Sequence, residues 1–455
     1  MFKLSGDAIS QTDGDQVTSS DSRGTYLKPD LDRRALCCGT AKLAGLTLAL
    51  SSLPSQAVEA KALLGLPLVQ QVLEGIDFSK MWDTHFHLLG TGDADSGCWI
   101  NPRLSQWWRP VDVLRKHVIL GASGVPDPYS SSGSVDIDYV KRINQLTVDF
   151  PVGSKWMLFA FDAAFDDQGR ESPDWSTFKI PNAYARRIAV AHPERFQWVA
   201  SIHPYRENAV ALLEQAIMDG AVALKWLPSS MNIDLRDTRL RRFYDVLSRT
   251  GLPLIIHCGE EKAVPGAGRD DLGNPLLVRI PLHAGVQVII AHCASLGQAL
   301  DLDSRRPQLV PAFKLFERLM EEARYEKLLK ADVSAVFQVN RSAEVWKAVL
   351  RNQHWHSRLL HGSDYPLPGV GPLYSTRSLV RNGLLKEELA TPLDAIRKLN
   401  PLMFDFALKR VVSFEGRKFS NQVFQTKAHF DHPVIGGSRR YRTRLETVQN
   451  LQASP

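Results

Sequence analysis

Six side chains at the ends of apolar runs carry the chemistry that this chain can do. His85 and His87 stand two residues apart in Asp83-Thr84-His85-Phe86-His87-Leu88-Leu89, after an apolar-rich approach from Ile76 to Trp82. In an extended strand side chains alternate, so Asp83, His85 and His87 are expected on one face. The two imidazoles would then lie about 6–7 Å apart, within reach of one metal ion. A His-x-His pair is a weak signal until further ligands are found. Lys225 in Ala223-Leu224-Lys225-Trp226, His257 closing Leu254-Ile255-Ile256-His257, His292 closing Val288-Ile289-Ile290-Ala291-His292, and Asp364 in His361-Gly362-Ser363-Asp364 supply candidates. An apolar run that ends in a lone imidazole or charge is costly unless the polar group meets a partner.

Those residue types suit a divalent cation. Neutral imidazoles with one carboxylate bind Zn²⁺ or a similar ion, and three protein ligands plus a water leave the open position that catalysis needs. A cation lowers the pKa of its water towards neutrality. Asp364 is then the expected acid/base, taking a proton from that water and passing it to the leaving group. His292 is either a ligand of a second metal or the group that polarises a substrate carbonyl. His203 and Arg341, at or just past strand ends, are the substrate-binding candidates; the alternatives are a hydrogen-bonded structural histidine and a solvated loop charge. Asp162 and Glu260 are read as loop charges. His361 lies three positions before Asp364 and is expected on the opposite face. Cys258 and Cys293 each come directly after a histidine and should point away from its face into packing.

The elements that must position these groups are short apolar runs alternating with longer amphipathic stretches, the pattern of βα units on a parallel sheet. Eight strands are expected: residues 81–88, 155–162, 197–203, 222–227, 253–257, 287–292, 331–336 and 358–364. Helices are expected over 182–191, 208–219, 239–250, 276–284, 312–322 and 343–352. Gly220, Gly251 and Gly285 fall where helices should end. Eight such units over roughly 330 residues fit a (β/α)8 TIM-type barrel better than an open doubly wound sheet, and in a barrel the strand ends meet at one mouth. No Gly-x-Gly-x-x-Gly follows a strand, which argues against a dinucleotide site. The stretch 90–110, with Trp99, Trp107 and Trp108, reads as a long loop on the face where barrel enzymes keep their active site.

The flanks read differently. Residues 1–60 form a polar, disordered leader followed by Arg33-Arg34, an apolar run over 44–53 and small-residue cleavage options. This resembles a twin-arginine export signal, with a periplasmic or exported location as the expectation and an N-terminal helix of a cytoplasmic protein as the alternative. Lys42 within the apolar run, Asp32 before the arginines and the long leader depart from that pattern. The run falls short of the ~20 residues a membrane span needs. Residues 411–455 form a basic, irregular C-terminal extension expected to wrap the barrel or to be partly disordered. With 23% charged and 44% hydrophobic residues in 455, wholesale disorder and a polytopic membrane protein are excluded. The net charge of +6 is concentrated at the termini, and no nucleic-acid motif accompanies it. Five cysteines without a Cys-x-x-Cys pair support neither a zinc knuckle nor a redox motif.

Asp83-Thr84-His85-Phe86-His87, the lysine of Ala223-Leu224-Lys225, the strand-end His257 and His292, and Gly362-Ser363-Asp364-Tyr365-Pro366 together resemble the amidohydrolase superfamily, in particular its amidohydrolase-related (amidohydrolase 2) branch. His192-Pro193-Glu194-Arg195-Phe196 and Asn400-Pro401 are similar to that branch as well, and the similarity covers about residues 77–410. The resemblance implies a distorted (β/α)8 barrel with one or two divalent ions. His85, His87 and His257 would ligate metal, and Asp364 would bind metal and act as acid/base. In binuclear members a lysine placed like Lys225 is carboxylated and bridges two metals, with His257 and His292 on the second. In others it is structural and pairs with a carboxylate. The expected function is a metal-dependent hydrolase of an amide, ester or lactone bond in a small organic molecule. The alternative is a metal-dependent decarboxylase, and a third reading is a non-catalytic ligand-binding barrel. Association with further copies of the chain is left open.

Overall fold

Eight parallel strands carry the fold: β1 (Trp82–His87), β2 (Lys155–Phe159), β3 (Phe196–Val199), β4 (Leu224–Trp226), β5 (Leu254–His257), β6 (Val288–Ala291), β7 (Leu329–Asp332) and β8 (Leu359–Leu360). The computed structural model describes residues 63–125 and 132–431. The Arg33-Arg34 leader, Cys37 and Cys38, and the basic residues from Arg439 onward lie outside the described residues. Two parallel sheets result, ordered β1-β2-β3 and β4-β5-β6-β7-β8. Backbone bonds also run between the sheet edges. Lys225 N donates to Ala200 O at 2.8 Å and Ala200 N to Ala223 O at 2.9 Å; at the other edge Thr84 N donates to His361 O at 3.0 Å and Asp364 N to His85 O at 2.8 Å.

Helices alternate with the strands as their periodicity requires. The stretch 182–191 is helical over its expected length, and helices also occupy Ala209–Met218, Arg241–Thr250, Ala312–Glu321 and Ala343–Arg351. Gly220, Gly251 and Gly285 take φ of 87°, 70° and 79°, the left-handed values that end a helix. The helix expected over 276–284 is instead a 3₁₀ turn, Pro275–Val278, followed by Arg279–His283. Pro281 lacks the N–H that a continuous helix would use. No helix among the described residues is long and apolar enough to cross a membrane.

Strands buried on both faces are apolar on both, and two apolar clusters separate accordingly. The inner one gathers Trp82, Met157, Phe159, Val199, Ile255, Ile289, Leu360 and Phe430. The larger outer one lies between strands and helices. Register places Lys225 beside Ile255, Lys330 beside Ile289, and Asp332 beside Leu360, so these three polar side chains share the inner face.

Strict alternation fails in β1. The register against β2 shifts between Asp83 and Phe86. Trp82 joins the inner cluster, whereas Asp83 turns to the other side and accepts from Ser363 N at 2.8 Å and His85 N at 3.1 Å. The face expected to hold Asp83, His85 and His87 is therefore corrected to Trp82, His85 and His87, because a bulge re-aims every side chain beyond it.

Beyond the helix Pro401–Val411 the chain stays in the core. Phe419, Val423, Phe424 and Phe430 are buried, Val423 O accepts from His361 N at 2.7 Å, and Phe430 stacks on Trp82 with ring centroids 6.1 Å apart. After β1, residues 99–100 pair with 178–179, and Trp107 and Trp108 are 83% and 62% exposed.

Candidate metal centre

The carboxyl ends of the strands bring the expected ligands to one cavity of about 300 Å³, lined by His85, His87, Lys225, His257, His292, Arg341 and Asp364 among others. Two groups have ligand atoms within 4.8 Å of one another, His85 with His87 and Asp364, and His85 with His292 and Asp332. Asp364 Oδ1 is 3.0 Å from His87 Nε2 and 3.5 Å from His85 Nε2. Neither contact has hydrogen-bond geometry: His85 Nε2 and Asp364 Oδ1 are both buried without a hydrogen-bond partner.

Local backbone explains how Asp364 reaches the histidines. A Cβ on Gly362 would lie 2.7 Å from His85 Cβ, so only glycine lets the segment after β8 approach β1 this closely. Asp364 then adopts φ 59°, leaving the strand early, and His292 adopts φ 54° after β6. Non-glycine residues held in the left-handed region store strain, and such strain clusters at functional sites. Lys409 of the last helix holds the approach by donating to Gly362 O at 2.6 Å.

Asp332, which ends β7, is the hub behind the ligands. Its Oδ2 lies 2.9 Å from His85 Nδ1, and its Oδ1 accepts from His292 N at 3.0 Å, Ser334 N at 3.1 Å and the Ser334 hydroxyl. The Ser334 Oγ lies 2.7 Å from His292 Nδ1. A carboxylate only accepts, so His85 carries its proton on Nδ1; the Ser334 hydrogen goes to Asp332, so His292 Nδ1 donates to Ser334. Both imidazoles are left with an Nε2 lone pair. Burial pushes the pKa values of His85 and His292 well below the ordinary imidazole range, keeping both rings neutral. Asp332 is a site residue that reading the sequence missed. It ends the apolar run Leu328-Leu329-Lys330-Ala331-Asp332 as the other ligands end theirs. Starting strand seven two residues late hid that parallel.

His257 lines the cavity but stands outside the 4.8 Å groups; its Nδ1 is 3.3 Å from Glu261 Oε2, and its ring centroid is 5.3 Å from that of His292. Lys225 is 1% exposed, its Nζ has no hydrogen-bond partner, and it sits 5.1 Å from the Phe159 ring centroid. No carboxylate among the described residues lies within 4 Å of it, and burial lowers its pKa to about 8. Arg341 lines the cavity. His203 does not: it is fully buried, its Nε2 meets Met231 O at 2.8 Å and its Nδ1 accepts from Tyr205 N at 3.2 Å. Both ring nitrogens of His203 are committed and burial lowers its pKa to about 4, the arrangement of the structural alternative read for it from the sequence. His361 packs between Phe406 and Phe424, away from the cavity. Cys258 and Cys293 are buried, and burial pushes the Cys258 thiol up to about 12.

Residues 173–393 match the model of the family described as Amidohydrolase. That segment belongs to the amidohydrolase family. It contains Lys225, His257, His292, Asp332, Arg341 and Asp364, whereas His85 and His87 precede it. Similar solved structures include an uncharacterised TIM-barrel protein from Bordetella bronchiseptica, 15% identical with TM-score 0.42, covering 63% of this chain and 86% of that one. A 4-oxalomesaconate hydratase from Rhodopseudomonas palustris is 14% identical with TM-score 0.38, covering 80% and 99%. A 5-carboxyvanillate decarboxylase from Sphingomonas paucimobilis is 13% identical with TM-score 0.38, covering 68% and 95%. No curated protein matches the chain.

Proposed function

We propose that the chain is a metal-dependent hydrolase of an amide, ester or lactone bond in a small organic molecule, built on a closed (β/α)8 barrel. Backbone bonds between the sheet edges, Lys225 N to Ala200 O and Asp364 N to His85 O, support the closure. The convergence of His85 Nε2, His87 Nε2 and Asp364 Oδ1 carries the functional reading. Electron-pair donors, buried on His85 and Asp364 and half-buried on His87, crowd together with no hydrogen bond among them, an arrangement whose cost a divalent cation offsets, zinc by the chemistry of the donors. When bound, such an ion supplies Lewis-acid polarisation of a carbonyl and acidifies water. His257 and His292 stand around the group as further ligands, Lys225 would join them only if carboxylated, and the lone pair assigned to His292 Nε2 suits a ligand better than a carbonyl-polarising donor.

Asp332 orients His85 directly and His292 through Ser334. Asp364 accepts a proton from the attacking water as the new C–O bond forms, then returns it to the leaving nitrogen or oxygen as the scissile bond breaks. A metal-dependent decarboxylase is the second reading, favoured by the compactness of the His85, His87 and Asp364 group. The test is elemental analysis of protein produced in metal-supplemented medium, then a substrate panel split between esters, lactones and amides on one side and aromatic or enol acids on the other. Bound divalent metal with water-dependent cleavage is expected. Absence of metal sinks the proposal, and release of CO₂ from the acids alone replaces it with the second reading.

A further inference from the structure

Resting on the reading of this cavity as the substrate site, we propose that the substrate carries a carboxylate and that Arg341 anchors it. Among the described residues, the charges lining the cavity are paired off except for two cations, Arg341 and Lys225. Arg115 Nη1 meets Asp112 at 2.9 Å and Lys262 meets Glu260 at 3.3 Å. The carboxylates are likewise committed: Glu261 lies 3.3 Å from His257 and accepts from Ala263 N at 2.6 Å, and Asp364 belongs to the ligand group. Lys225, the other cation without a carboxylate within 4 Å among the described residues, lies over the Phe159 ring beside the histidines, deep in the ligand cluster.

Arg341 is nine-tenths buried, yet its guanidinium meets only neutral groups, Ser295 Oγ at 2.9 Å and Asn340 Oδ1 at 2.8 Å. No carboxylate among the described residues comes within 4 Å; Asp364, Glu261 and Glu260 act on it only from farther away. A buried guanidinium without a counterion is destabilising, and its planar fork matches a carboxylate's two oxygens.

Gln338 adds a second donor to the same wall. It is 2% exposed, lines the same cavity, and its Nε2 has no hydrogen-bond partner. Arg341, a charged donor without a counterion, and Gln338, whose amide also faces the Tyr374 hydroxyl, therefore stand on one loop at the cavity wall. Leu227, Val264, Leu296 and Leu373 make much of the remaining wall apolar. In a cavity of about 300 Å³ this selects a small acid with a compact apolar body. The anchored carboxylate fixes which end of the molecule faces away from Arg341, and so which bond meets Asp364 and the histidines.

Benzoate and benzamide test the anchor, since they share a ring and differ in charge. Calorimetric titration of the full-length protein, loaded with zinc and again after chelator treatment, is expected to show benzoate binding at least about tenfold tighter than benzamide in both states, as a charge-assisted contact to a buried guanidinium implies. Arg341→Met should remove that preference while leaving benzamide affinity within about twofold, and Arg341→Lys should keep part of it. Should the Met variant fail to fold, the lysine variant carries the test, with loss of the two-pronged contact read as a partial fall in benzoate affinity. Equal affinities in the wild type, no benzoate binding, or a preference untouched by Arg341→Met would each overturn the proposal. A preference seen only with zinc present would assign the carboxylate to the metal and overturn it too. An Arg341-dependent preference in protein that binds no zinc would sink the metal reading and leave the anchor standing.

Discussion

Replacing Asp332 by asparagine keeps the shape of the side chain and removes one acceptor, and the surrounding hydrogen bonds set the cost. Asp332 accepts from His85 Nδ1 on one oxygen and from His292 N, Ser334 N and the Ser334 hydroxyl on the other. If the amide nitrogen faces His85, the ring must carry its proton on Nε2, and its lone pair leaves the group formed with His87 and Asp364. If the amide nitrogen faces the other way, two backbone N–H groups and a hydroxyl lose their acceptor in a fully buried position. Either orientation forfeits at least one hydrogen bond to a charged group, worth about 1.5–3 kcal/mol. Zinc affinity should accordingly fall by about 10–100-fold, the usual effect of losing a group that orients a metal-binding histidine. Competition against a chromogenic chelator measures it, with circular dichroism and the melting temperature of the metal-free protein as controls for folding. A folded Asp332→Asn protein that binds zinc within about twofold of wild type would refute the tautomer argument.

Asp364→Asn should lower turnover by about 10²–10⁴-fold while the fold persists, because the amide cannot relay a proton; steady-state kinetics on any substrate from the panel decides, and near-normal turnover would remove the acid/base role. Lys225→Met should make the metal-free protein more stable than wild type at pH 7. Burial lowers the Lys225 pKa from 10.5 to about 8, so between those values the unfolded chain holds a proton that the native one has released, and wild-type stability rises with pH through that window. The advantage of the methionine variant should therefore shrink from pH 8 to pH 10.5; thermal melts across that range that run parallel would contradict it. Phe430→Ala should cost about 3 kcal/mol or more, since the ring is buried against Trp82; a denaturation midpoint equal to wild type would show that residues after the last helix contribute nothing to the core.

Much of this molecule is legible in its residues because strand ends advertise themselves. An apolar run closed by a histidine or aspartate marks a polar group carried to the rim of a buried sheet, so His85, His87, His257, His292 and Asp364 could be named before any contact was known. The alternation of eight such runs with amphipathic helices is equally local, and the glycines at 220, 251 and 285 need only the backbone of their own turns. Tertiary structure alone decided the rest. The bulge that turns Asp83 outward and keeps His85 and His87 inward depends on the register against a strand some seventy residues away. The tautomers of His85 and His292 depend on where Asp332 and Ser334 place their protons, and the closure of His203 depends on Met231 and Tyr205. Side-chain type and spacing are properties of neighbours in the chain. Which lone pair faces which atom is a property of neighbours in space.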